Sequence, residues 1–374
     1  MRRNGTFWVA IGALCLALAP GAAASVSAPT TYSLPPETNA FAMTAGPEDA
    51  LWFVGRRGAL GIGNDETVVG RVRDDGQVSL FGLPEGRYAW DIAAGSDGNL
   101  WFTETIYNRG GYTVLRIGRM TPSGKFAEFR IGDRVASPGP IAAGPDGNLW
   151  IAAAYDVDGR LKKAIVRVTT RGDVSRFHLP PRTRLRDIAA GPDGNLWFTE
   201  VAPRGGRIGR ITPRGRISHF PLPSPQREPD SIAAGPDGNL WFTEASAAYD
   251  VKARVGRITT AGDIVEFPVP GSAWTYEIAA GERGDIWFTT GLKSGPIGLA
   301  SISPNGVANP LACLQPEPCE VDAGAPAIGP DGDLWVRVSR HYSYSGGGGT
   351  AISESIEKER EAGLLVRYPA SGSG

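Results

Sequence analysis

The chain has 374 residues, 41% hydrophobic and 21% charged, with 38 basic against 39 acidic side chains. A balance this close to neutral argues against nucleic acid or an anionic membrane as partner. Cysteine is scarce, three residues in all, which excludes a disulfide-dense scaffold.

The N-terminus opens with Arg2 and Arg3, runs through an apolar stretch from Phe7 to Ala19 and reaches Ala22, Ala23 and Ala24. This is the pattern of a secretory signal peptide over residues 1–24, leaving a mature chain 25–374 that is secreted or periplasmic. The apolar run has 13 residues, short of the ~20 a membrane-spanning helix needs. No later segment comes closer, so no membrane span is expected. An arginine pair also suits twin-arginine export, but it occurs in many ordinary leaders. Loss of the leader removes Arg2, Arg3 and Cys15, leaving 36 basic against 39 acidic residues, a net charge of −3.

From there one phrase returns, in its fullest form Ile-Ala-Ala-Gly-Pro-Asp-Gly-Asn-Leu-Trp-Phe-Thr-Glu, marked by Trp52, Trp101, Trp150, Trp197, Trp241, Trp287 and Trp335 at intervals of 49, 49, 47, 44, 46 and 48 residues. That period is one four-stranded propeller blade, which cannot bury its sheet faces without neighbours. The expected fold is all-β, a single seven-bladed β-propeller, read as a monomer. In each unit Ile-Ala-Ala (Ile92 to Ala94, Ile188 to Ala190) reads as the innermost strand. Gly-Pro-Asp-Gly is a turn, Asn-Leu-Trp-Phe-Thr-Glu a second strand, Ile-Gly-Arg-Ile a third, and Glu-Phe-x-x-Pro the end of a fourth. The tryptophan is expected between blades. The Asp-Gly turns lack the alternating acidic ligands of a calcium loop.

The seventh unit ends after one further strand-like segment, Leu364 to Arg367. Thr31 to Pro35 resembles the outer-strand phrase, so the N-terminal strand is expected to complete blade seven and close the ring. Within that blade an insertion spans 340–363, with glycines 346–349 and a charged stretch, Ser353 to Ala362, that reads as a solvated loop or short helix. Cys313 and Cys319 are expected to pair in an oxidising compartment, two free thiols being the alternative. No nearby ligands complete a zinc site.

Loops entering the innermost strands gather at one mouth of the channel, and there the repeat varies: Phe41, Trp90 with Asp91, Gly139, Arg186 with Asp187, Glu228 with Asp230, Tyr276 with Glu277, and Gly324. Variation on a repeated frame is where function is written. Gly-Pro-Asp-Gly-Asn-Leu-Trp-Phe-Thr-Glu and Ile-Gly-Arg-Ile-Thr resemble the phrases of the streptogramin B (virginiamycin B) lyases across essentially the whole mature chain. The resemblance implies a seven-bladed propeller and an elimination that opens a cyclic depsipeptide, with Mg²⁺ near two histidines and two glutamates.

At the matching positions stand Phe41, Trp90, Gly139, Arg186, Asp230, Tyr276 and Gly324, none of them histidine. The echo Glu228-Pro229-Asp230 puts Asp where the lyase has His, and Trp335 is followed by Val336, Arg337, Val338 and Ser339 where the lyase has its other glutamate. His178 and His219 lie in outer-strand phrases, and His341 begins the insertion, as a weak catalytic candidate or an exposed loop residue. Glu104, Glu200 and Glu244 recur with the scaffold and read as structural, a channel metal site being the alternative.

Three functions compete. In the first, the propeller binds a glycan, peptide or small molecule through Trp90, Asp91, Arg186, Asp187, Asp230, Trp274, Tyr276 and Glu277, without streptogramin lyase activity. In the second it is a metal-dependent lyase or hydrolase of cyclic esters, with Glu228, Asp230 and Glu277 as oxygen ligands. The third is a scaffold for protein assembly.

Overall fold

The computed structural model describes residues 29–58, 66–107, 113–132, 135–137, 139–157, 160–246, 253–280, 284, 286–291, 297–310, 321–340 and 363–368. The leader 1–24, Cys313, Cys319, His341 and residues 341–362 of the insertion lie outside them. Every described element is a strand, and the strands form seven antiparallel sheets arranged as blades.

The innermost strands are Thr38–Gly46, Arg87–Ala94, the pair Val135–Ser137 and Ile141–Ala143, Arg184–Ala190, Arg227–Ala234, Trp274–Ala280 and Val321–Ile328. Each touches the next, and Val321–Ile328 meets Thr38–Gly46 to close the ring. The seventh sheet takes its outermost strand from the other end of the chain: Thr30–Ser33 pairs with Leu364–Tyr368, from Thr30↔Arg367 to Ser33↔Leu364. The expected closure is therefore present.

The repeated phrase has a physical reading at each position. The indole Nε1 of Trp101, Trp150, Trp197 and Trp241 donates to the Asp of its own turn, at 3.0, 2.9, 3.0 and 3.1 Å. The ring itself packs on the next blade, Trp197 among Ile232, Leu240 and Phe242. The following Phe lies over the glycine of Ile-Gly-Arg; a methyl on Gly209 would overlap the Phe198 ring, so only Gly fits.

The arginine after that glycine ties blade to blade. Arg210 lies 5.3 Å over Trp197 and 5.4 Å over Phe220 of its own blade, and its Nη1 donates to Thr260 O of the next at 2.8 Å. Arg257 repeats this with Pro304 O at 2.9 Å, and Arg167 with Pro213 O at 2.9 Å. In blade six Ser301 takes the arginine's place opposite Trp287, so this tie is missing toward blade seven.

Glu104, Glu200 and Glu244 are buried and stand opposite Arg116, Arg207 and Arg254 of the third strand, on the side away from the channel strand. Arg207 Nε donates to Glu200 Oε1, and His219 Nδ1 of the outermost strand lies 2.5 Å from the same oxygen. Burial pushes Glu104 and Glu244 up to about 8. These carboxyls serve the blades, as their recurrence with the scaffold suggests.

Candidate functional site at the channel mouth

The innermost strands begin earlier than Ile-Ala-Ala, at Arg87, Arg184, Arg227 and Trp274, because each carries a bulge just before the isoleucine. The register shifts between Ala89 and Asp91, Leu185 and Ile188, Pro229 and Ile232, and Thr275 and Ile278. Extra residues bend the strand and re-aim side chains into the channel. The threonine of Trp-Phe-Thr-Glu satisfies the freed backbone groups. Thr199 Oγ1 accepts Asp187 N at 2.9 Å and donates to Asp230 O of the next blade at 2.5 Å. Thr243 does the same between Ser231 N and Tyr276 O, and Thr289 accepts Glu277 N at 3.2 Å.

In blades two, four and five the residue just before the isoleucine clasps the next blade, forming a belt along the channel. Asp91 accepts its own Ile92 N at 2.8 Å and Ile141 N of the next blade at 2.8 Å. Asp187 accepts Ile188 N at 2.7 Å, Ile232 N at 2.9 Å and the Ser231 hydroxyl at 2.7 Å. Ser231 Oγ in turn accepts Ile278 N at 3.3 Å. Next in the series is Glu277, but the residue facing its isoleucine position in blade seven is Pro326, opposite Val336 as Ile278 is opposite Phe288. Proline has no N–H to give. The Glu277 carboxyl therefore has no amide of blade seven to accept at this position; it lines the channel, with the Ser231 side chain as a hydrogen-bond partner.

A cavity of about 360 Å³ occupies this mouth, lined by Phe41, Ala42, Trp90, Asp91, Gly139, Pro140, Arg186, Asp187, Asp230, Ser231, Glu277, Ile278 and Ala325. Trp90 presents a face 45% exposed, with its Nε1 anchored on Thr105 Oγ1 at 3.1 Å. Arg186 stands 3.9 Å from Asp230 and 3.3 Å from Glu228.

Burial raises Asp91 to about 7, with repulsion from Asp187 adding to it against the pull of its two amide hydrogen bonds. Burial likewise raises Asp187 and Asp230, Arg186 opposing the second. Glu277 goes up to about 8, through crowding by protein atoms and then repulsion from Asp187, Asp230 and Asp91. Its side chain nevertheless reaches channel water, so the part of this that survives solvent screening is the mutual repulsion of the four carboxyls.

Of the residues marked in the sequence, Trp90, Asp91, Arg186, Asp187, Asp230 and Glu277 thus meet at one cavity. Two of them, Asp91 and Asp187, have their carboxylates committed to the belt. Glu228 stands outside the lining, pairing with Arg184 at 2.8 Å and with Arg186. Trp274 and Tyr276 do not line the cavity and face Gly291 of the neighbouring strand. Ser231 and Pro326 were not singled out from sequence; the recurring acid-before-isoleucine pairs Asp91-Ile92, Asp187-Ile188 and Glu277-Ile278 are the signal that would have found the belt.

A metal centre is not assembled by the donors present. Asp91 and Asp187 spend their oxygens on backbone N–H groups, Asp230 faces Arg186, and among the described residues no group of three or more His, Cys, Asp or Glu is arranged to hold an ion.

The model of the virginiamycin B lyase family matches residues 110–341, well over half of the chain. The chain belongs to the virginiamycin B lyase family. Virginiamycin B lyase from Staphylococcus aureus, in selenomethionine form, is similar at 23% identity and a TM-score of 0.66, over 91% of this chain and 99% of that one. A catalytically inactive histidine-to-alanine variant of the S. aureus lyase with quinupristin gives 24% and 0.67, over 91% and 99%. YCF48 bound to D1 peptide gives 14% and 0.61, over 91% and 97%. At these identities the structures speak for the fold. No curated protein matches the chain significantly. The described lining of the channel mouth contains no histidine.

Proposed function

We propose that this family member is an exported ligand-binding propeller without streptogramin lyase activity, and that its ligand is a peptide, glycan or small molecule held at the channel mouth. The observation that carries the reading is the composition of the cavity. Trp90 and Phe41 offer flat apolar faces, Asp230 and Glu277 offer carboxyls, and Arg186 stands 3.9 Å from Asp230. Such a mixture selects an apolar ring or chain next to a hydroxyl or protonated amine. An elimination needs a positioned base near neutral pH, which histidine supplies best, and no histidine is among the described lining residues. The pattern of Arg2, Arg3, the apolar run and the alanines supports export.

One observation favours a second reading, an enzyme. Glu277 lines the cavity with its acidity raised by the neighbouring Asp187, Asp230 and Asp91, which suits it to giving or taking a proton. Labelled mature protein on glycan and peptide arrays, beside a Trp90→Ala, Glu277→Gln double variant, tests the binding reading. Specific spots lost in the variant are expected. Spots retained in full by a folded variant would overturn it, and consumption of a bound ester would favour the enzyme.

A further inference from the structure

Blades two, four and five each bury a carboxylate opposite an arginine, Glu104 with Arg116, Glu200 with Arg207 and Glu244 with Arg254. In blade three the same register pair is Ala153 with Ala164. Those two methyls pack toward blade two, among Trp101, Leu115 and Ile117. On the other face of the same strands, toward blade four, a cavity of about 190 Å³ is lined by Ala152, Ala153 and Ala154 together with Lys163, Arg184 and Arg186.

The lining contains three cations and no acid. Glu228, outside the lining, serves both arginines, at 2.8 Å from Arg184 and 3.3 Å from Arg186. Arg186 also lies 3.9 Å from Asp230, so two carboxylates match the two guanidiniums and the excess positive charge is that of Lys163. Lys163 has no carboxylate within ion-pair distance among the described residues, and burial followed by repulsion from Arg184 holds its ammonium below the usual lysine range. An unmatched ammonium favours an anion beside it, and a planar guanidinium fork next to an ammonium fits a carboxylate or phosphate oxygen set.

We propose that blades three and four form a second binding subsite, for a small oxyanion, in which Lys163, Arg184 and Arg186 hold a carboxylate or a phosphate monoester. The subsite is separate from the acidic channel mouth in its chemistry and stands whether or not that mouth binds a ligand. It adjoins it in space, since Arg186 and Gly139 line both cavities. A ligand with a cationic or hydroxyl-bearing head and an anionic tail would span the two.

The test is calorimetric titration of the mature protein with N-acetylglycine and, separately, with inorganic phosphate, at pH 7 and low salt. Saturable binding of at least one probe is expected, weakened tenfold or more in Lys163→Met and in Arg184→Gln. An Arg171→Met variant, which removes an exposed cation from a distant turn, is expected to bind like the wild type. Binding of N-acetylglycine alone assigns the site to carboxylates, of phosphate alone to phosphate esters, and of both to oxyanions generally. Failure of both probes to saturate overturns the proposal. So does unchanged affinity in Lys163→Met or Arg184→Gln, whichever retains the wild-type unfolding midpoint, or equal loss in Arg171→Met. Lys163 and Arg184 do not line the channel mouth, so the loss in these two variants is independent of the array experiment.

Discussion

Asp187 Oδ2 accepts the backbone N–H of Ile232 from the neighbouring blade at 2.9 Å. A residue that reads in the sequence as a channel-facing acid is thereby a clasp between blades four and five. Its other contacts, to Ile188 N and the Ser231 hydroxyl, leave it no oxygen unspoken for. Replacement by alanine strands these donors in a largely buried place. We expect Asp187→Ala to lose about 2–3 kcal/mol in denaturant unfolding, and Asp187→Asn, which keeps one acceptor, to lose less. Equal stability of Asp187→Ala and wild type would refute the belt.

Arg210 is the counterpart at the periphery. Its guanidinium covers Trp197 and Phe220 and reaches Thr260 O, so Arg210→Ala should cost about 1–3 kcal/mol through lost ring contacts and an unpaired carbonyl. Ser301→Ala, at the same place in blade six, should cost under about 0.5 kcal/mol. Hydrogen exchange should accordingly be faster along the seam of blades six and seven than along that of blades four and five.

Glu277 gives the pH dependence. Repulsion from Asp187, Asp230 and Asp91 shifts its acidity in the folded chain upward from an ordinary 4.5, so the folded state holds the proton more tightly than the unfolded state. Stability from this group is complete at acid pH and is lost as pH rises from the ordinary value through the raised one. Glu277→Gln removes the loss. Thermal scans from pH 5 to pH 9 should show the variant gaining on the wild type as pH rises; a constant difference would contradict the shift.

Much of this was legible in the sequence. Seven tryptophans at blade spacing gave the ring, and the Thr-Tyr-Ser segment near residue 31 gave its closure, because both depend on period-2 alternation and turn chemistry that a single repeat displays. The gathering of Trp90, Arg186, Asp230 and Glu277 followed from their place before the innermost strands. What stayed hidden was side-chain commitment. Asp187 and Glu277 look alike in sequence, and only the registers facing Ile232 and Pro326 show that one accepts an amide of the next blade and the other meets a proline there. Lys163 and Arg184 were invisible for a related reason: they come from neighbouring blades, and nothing local says that they line one cavity.

Chemistry at the mouth is predicted to differ from that of the lyases this chain resembles. Chromatography of quinupristin incubated with mature protein should show no ring opening above a buffer control, with or without added Mg²⁺. Turnover that Glu277→Gln abolishes would transfer the account to the enzyme reading.

The most direct measurement is calorimetric titration of the best array ligand into the wild type and into the Trp90→Ala, Glu277→Gln double variant. Binding at the channel mouth predicts at least a tenfold loss of affinity with an unchanged unfolding midpoint. Equal affinity in the two proteins would place recognition elsewhere on the propeller and contradict the account.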